Sequence, residues 1–207
     1  MPDLIREQEG FDVFPAHRLD KTTGGVFLLA RSSCICGQLQ RLFQNNSVEK
    51  EYLAVVSGVP EEHTGSFSDL LYHDQRTNKT FVVNKQRKGV KESSCDWHVI
   101  DISEHNNSTE TKMSLIRICL HSGRTHQIRV QFASRKLPLV GDRRYGSHIS
   151  ASVPALWSTR IAFQHPVISG KIIDVSSEPP DFFPWSSFAK PKKRCISTAA
   201  PEKESTV

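Results

Sequence analysis

Eight short runs of β-favouring residues, separated by clusters of Gly, Pro, Asn and Ser, divide this 207-residue chain. They lie at Val26 to Ala30, Glu51 to Val56, Ser66 to Leu71, Thr80 to Asn84, Cys95 to Ile102, Met113 to Leu120, Leu156 to Phe163 and Lys171 to Val175. The last two, joined by a turn from His165 to Gly170, read as an antiparallel hairpin. Helical spacing appears twice. Ile35, Leu39, Leu42 and Phe43 recur behind the capping pair Ser32-Ser33, predicting a helix from about Cys34 to Asn45. A second helix is expected from Thr125, as its N-cap, to about Lys136, and Glu178 to Trp185 opens a short helix or an aromatic-rich turn.

With 37% hydrophobic residues a chain of this length can bury one core, so residues 1–189 read as one domain. Residues 190–207 are polar and charged and are expected to be a disordered tail. Lys and Arg number 27 against 22 Asp and Glu, a net charge of +5 that favours an anionic partner, although part of it sits in Lys190-Pro191-Lys192-Lys193-Arg194. Five cysteines, with Cys34 and Cys36 spaced C-x-C, suggest neither a disulfide framework nor a zinc site and point to reduced thiols. No apolar run approaches the roughly 18 residues of a membrane span, and Met1 to Gly10 is too acidic and polar for a secretory signal. A soluble, cytoplasmic protein without a membrane partner is expected, with an organellar location open if a targeting segment precedes it.

Two dense stretches carry the chemistry. His17-Arg18-Leu19-Asp20-Lys21-Thr22-Thr23-Gly24-Gly25 places a carboxylate between two cations just before a run that reads as a buried strand. Residue types alone allow both a charged surface turn and a reactive loop held by a core strand. In His121 to Ala133, helical geometry puts Arg129 on one face with Phe132 and Ala133. A guanidinium drawn toward a core keeps its charge and needs a carboxylate or phosphate; the alternative is a helix-edge Arg that snorkels to water. His121 and His126 form no compact metal motif, so no metal site is expected. The basic run from Asn84 to Lys91 reads either as a solvated turn or as a grip on a phosphate backbone.

Taken together, five separate motifs resemble the RluA-like family of RNA pseudouridine synthases. They are H-R-L-D at His17 to Asp20 with its following T-x-G, K-x-Y-x-A at Lys50 to Ala54, G-R-T-H-Q-I-R-V at Gly123 to Val130, G-D-x-x-Y-G at Gly141 to Gly146 and F-x-H-P at Phe163 to Pro166. The resemblance implies an α+β fold: a mixed, mostly antiparallel sheet with helices packed on it and a cleft across the sheet. It also implies isomerisation of specific uridines in structured RNA, rRNA or tRNA, by a monomer that needs no cofactor. Asp20 would attack or assist at the uridine so that the base detaches, turns and rejoins through carbon. Tyr52 would stack on the base or act in proton transfer, and Arg129 would pair with Asp20. Arg18 would fill the space the uridine leaves, and His17, Lys21, Arg124, His126 and Gln127 are further RNA-binding candidates. The family's T-S-G is here Thr23-Gly24-Gly25, and its K-P-x-G turn before H-R-L-D does not appear in Met1 to Ala16, so strands supporting the catalytic loop are expected to be missing. The alternative is a catalytically silent RNA-binding or RNA-folding module built on the same fold.

Overall fold

The computed structural model describes residues 2–104 and 112–189. The proposed tail from 190 and the polar turn at Asn106 to Thr109 lie outside the described residues. The elements are α1 (Pro2–Glu9), β1 (Phe14–Pro15), β2 (Gly24–Gly25), β3 (Leu29–Ala30), α2 (Ser33–Gln44), β4 (Val48–Ser57), β5 (Thr64–Asp74), β6 (Lys79–Val83), β7 (Val90–Glu104), β8 (Lys112–Leu120), α3 (Gln127–Ser134), β9 (Leu156–Gln164) and β10 (Ile172–Ser176). Single 3-10 turns follow at Arg143–Tyr145 and Trp185–Ser187.

One sheet dominates, with strand order β10-β9-β4-β8-β7-β5-β6 and antiparallel neighbours throughout. The short β2 joins it by parallel pairing to β9, which makes the sheet mixed as the resemblance implied. Two-residue β1 and β3 form a separate ribbon.

Alternation along β4 explains how helices and sheet divide the core. Side chains of a strand point to opposite faces in turn. Val48, Tyr52, Ala54 and Val56 therefore face one side, and Leu53 and Val55 the other. On the first side two apolar clusters form. One packs Val48, Ile161 and Phe163 of the sheet against Cys36 and Leu39 of α2, and the other packs Tyr52, Ala54, Phe67 and Ile118 against Ile128 and Phe132 of α3. Phe132 is fully buried, and enclosing a side chain of this size contributes roughly 1.5–3 kcal/mol. On the opposite face Leu53, Val55, Met113 and Leu115 pack against Val140 and Phe188. Between the α2 and α3 clusters β4 presents Lys50 and Tyr52, and there the cleft lies.

Two expectations need correction. Val26 to Ala30 is not a continuous strand; only Leu29–Ala30 pairs, with Phe14–Pro15. Its backbone donors are engaged elsewhere, Val26 N–H with the Ser158 carbonyl at 2.8 Å and Leu28 N–H with His17 Nε2 at 3.0 Å. The second helix begins at Gln127 with His126 as its N-cap, one residue later than expected, because His126 adopts the left-handed conformation (φ 55°) and so cannot continue the helix backwards. Thr125 is not the cap; its carbonyl accepts from Thr80 Oγ1 at 2.8 Å. Ser32 does cap α2, accepting from Ile35 N–H at 3.3 Å.

Candidate active site

The loop that carries Asp20 is tied at both ends. At its start the His17 ring stacks on Phe43 of α2 with centroids 4.7 Å apart, and its Nε2 accepts from Leu28 N–H. Burial holds the His17 pKa at about 4, so the ring is a neutral acceptor that closes the loop. At its far end Gly24 and Gly25 run beside Trp157 and Ser158 of β9, and Gly25 has φ 108°. A Cβ on Gly24 would meet the Trp157 ring, and one on Gly25 the Ser158 backbone. Ser158 is also the residue opposite Tyr52, at a bulge in the β4–β9 ladder. Loop and Tyr52 are therefore registered on the same residue.

Asp20 sits at the mouth of a buried polar cluster. Its Oδ2 lies 3.4 Å from Arg129 Nη1 and 3.9 Å from His126 Nε2. Arg129 has a closer partner. Its Nε and Nη2 donate to the two oxygens of Asp142 at 2.6 and 2.9 Å, a bidentate pair in which the Asp142 side chain is only 1% exposed. One guanidinium thus serves two carboxylates, and the pairing resolves the question of its environment: Arg129 is a buried charge with partners, not a snorkelling one. Tyr145 lies under the Arg129 guanidinium, 5.1 Å from ring centroid to Cζ. Its hydroxyl accepts from Thr80 N–H at 2.9 Å and shares a hydrogen bond with His126 Nδ1 at 3.0 Å. Burial pushes the His126 pKa down, against the pull of the Asp20 charge, and keeps the imidazole neutral near pH 7.

Tyr52 closes the cleft floor. Burial pushes its hydroxyl pKa up to about 12, with the Asp20 charge acting in the same direction. It is therefore a protonated phenol at neutral pH.

The other candidates fall into two groups. Arg18, Lys21 and Arg124 are exposed, the first two on the loop carrying Asp20. His17, His126 and Gln127 work inside the protein. Gln127 is 2% exposed; its Oε1 accepts from Ser122 Oγ at 2.8 Å and Arg124 N–H at 3.1 Å, and its Nε2 donates to the Ser94 carbonyl at 3.1 Å. Its polar atoms brace the turn before α3 and none is left to reach outward. Sequence reasoning assigned no role to Asp142, Tyr145 or Thr80. The G-D-x-x-Y-G turn was the available signal for the first two, while Thr80 on β6 carried none. Among the described residues no group of three His, Cys, Asp or Glu side chains is placed to hold a metal, and no helix is long and apolar enough to cross a membrane.

This arrangement can be set beside known proteins. Residues 2–134 match the family model described as RNA pseudouridylate synthase. An uncharacterized RNA pseudouridine synthase of Aquifex aeolicus is 33% identical over 177 residues, which cover 80% of this chain and 53% of that protein, so the chain spans about half that relative's length. A tRNA pseudouridine synthase C of Haemophilus influenzae is 30% identical over 181 residues, covering 81% of this chain and 75% of the relative. Among solved structures, Human RNA Pseudouridylate Synthase Domain Containing 1 shares the fold with a TM-score of 0.73 at 23% identity, over 87% of this chain and 74% of that one. The chain belongs to the RNA pseudouridylate synthase family, whose members are isomerases that convert uridine in RNA to pseudouridine.

Proposed function

We propose that this chain isomerises uridine within structured RNA, with Asp20 as the reacting carboxylate, Tyr52 against the target base and Arg129 holding the carboxylate in position. The observation that carries this reading is the convergence of those three side chains, from a loop, a strand and a helix, on one cleft. The chemistry asks for little else. The bond from uracil N1 to ribose C1′ breaks and a bond from C5 to C1′ forms; C5 loses a proton and N1 gains one. Atoms and electrons balance without an oxidant or reductant.

A carboxylate beside the sugar can stabilise or capture C1′ as the base departs. Asp142 takes two of the contacts of Arg129, and Asp20 is left with a single longer one, held in direction without being locked in a bidentate pair. Tyr52 enters the reaction protonated, as a ring surface and a possible O–H donor, not as the base that removes the C5 proton. The uridine must leave its stack, at a cost of a few kcal/mol, before it can reach this cleft. Arg18, exposed on the Asp20 loop, would occupy the vacated position, and the exposed Lys21 and Arg124 would meet the backbone. The Haemophilus influenzae relative bears the name of a tRNA enzyme, which makes tRNA the first substrate to test.

Incubation with unfractionated tRNA and rRNA, followed by mapping of pseudouridine, decides the matter. Wild type is expected to convert discrete uridines, and Asp20→Asn to bind RNA without converting any. RNA binding by wild type with no pseudouridine formed in either pool would instead identify the silent RNA-binding module.

A further inference from the structure

Among the described residues, two cations at the cleft have no counter-ion. Lys50 is 8% exposed, and its ammonium makes no hydrogen bond or ion pair among the described residues. Strand alternation places it on the same face as Tyr52, two residues away. Its charge is felt by His17 on the Asp20 loop, while the charge of Arg124, ahead of α3, is felt by Lys50. In the β4–β8 ladder Glu51 faces Cys119, so Lys50 stands at the end of β8 from which the chain runs through Arg124 to α3. Arg124 gives its Nε to the Glu92 carbonyl at 3.0 Å, and its terminal nitrogens have no protein acceptor among the described residues. Neither cleft carboxylate relieves this, since Asp20 and Asp142 both turn to Arg129.

An ammonium with little exposure and no partner, near a second cation, is unfavourable in the free protein. Such an arrangement becomes favourable when an anion arrives. If the substrate is a uridine in RNA, as proposed above, the identity of that anion follows, because uracil and ribose are uncharged and the nucleotide brings only its phosphodiester. The geometry points to a phosphate subsite in which Lys50 and Arg124 together clamp one phosphodiester of the strand that carries the target uridine. Binding energy realised there, away from the reacting bond, would hold the sugar against Asp20.

The test compares small ligands on the whole chain. Uridine, uridine 3′-monophosphate, uridine 5′-monophosphate and inorganic phosphate are titrated into wild type, Lys50→Met, Lys50→Arg, Arg124→Ala and Asp20→Asn, with amide NMR shifts as the readout. One of the nucleotides is expected to bind wild type about fivefold or more tighter than uridine. That advantage should vanish in Lys50→Met, shrink in Arg124→Ala, return in Lys50→Arg and persist in Asp20→Asn. Lys50→Met should melt at or above the wild-type temperature, because it removes an unpaired charge of little exposure, whereas loss of a structural ion partner would lower it. Its affinity for unfractionated tRNA should show a log–log salt slope smaller by about 0.7 to 0.9, the equivalent of one phosphate. Equal affinity of wild type for uridine and both nucleotides overturns the proposal, as does a nucleotide advantage that survives Lys50→Met. The functional reading stands or falls separately, on whether wild type forms pseudouridine in RNA.

Discussion

Arg129 sets one positive charge against two carboxylates, so the trio of Asp20, Arg129 and Asp142 carries a formal charge of −1 into the cleft. Asp142 is the anchor of the trio, and its replacement separates anchoring from reaction. In Asp142→Asn the buried guanidinium loses its bidentate partner, and breaking such a pair costs about 3–5 kcal/mol. Urea unfolding should register that loss, and pseudouridine formation should fall as Arg129 turns fully onto Asp20. His17 makes a prediction in pH. Its folded pKa of about 4 lies below the ordinary value of 6.5, so the unfolded chain binds the proton more readily. The stability contributed by neutral His17 is complete above pH 6.5 and drains away as pH falls toward 4. Melting temperatures followed from pH 8 to 4 should drop across that window in wild type and more shallowly in His17→Gln.

Among the elements, two-residue β2 has close backbone and ring neighbours at both of its glycines. In Gly25→Ala the new methyl meets the Ser158 backbone and the residue must hold a φ that only glycine adopts freely. A stability loss of about 1–3 kcal/mol is expected in denaturant, with a larger proportional loss of pseudouridine formation, because the loop that moves carries Asp20. The elements also differ in how far their sequences announce them. β4 was legible because a run of β-favouring residues closed by Ser57-Gly58-Val59-Pro60 acts locally, and α2 because Ser32 caps it from one turn away. Val26 to Ala30 has the composition of a strand, yet partners remote in sequence decide its conformation: Ser158 takes Val26 N–H, and the His17 ring takes Leu28 N–H. The true start of α3 was hidden because the left-handed turn at His126 has no local cause in a residue that is not glycine. At the cleft, the motifs around Asp20, Tyr52 and Arg129 singled those residues out. Asp142 and Lys50 lie in two of the same motifs with no role attached to them, since one acid in a turn and one lysine on a strand acquire a role only when folding brings other charges beside them.

At the level of the whole molecule the sheet separates two kinds of electrostatics. On the cleft face Arg129 is paired while Lys50, among the described residues, has no ion partner; on the opposite face Arg160 gathers three carboxylates. There Arg160 of β9 binds both oxygens of Asp174 on β10 at 2.8 Å and reaches Glu49 and Glu51 of β4 at 2.9 and 3.0 Å, tying three strands together. Arg160→Ala should therefore cost about 1–3 kcal/mol in thermal or urea unfolding while leaving tRNA affinity unchanged, as measured by filter binding at matched salt. The same strand has a consequence in time. Gly25 and Tyr52 both take their register from Ser158. On a ribosome adding about 5 to 20 residues per second, Ser158 emerges roughly 7 to 27 seconds after Gly25. Until then the Asp20 loop has no strand to lie against, so a nascent chain carries its reactive carboxylate without the means to aim it, and competence waits for β9.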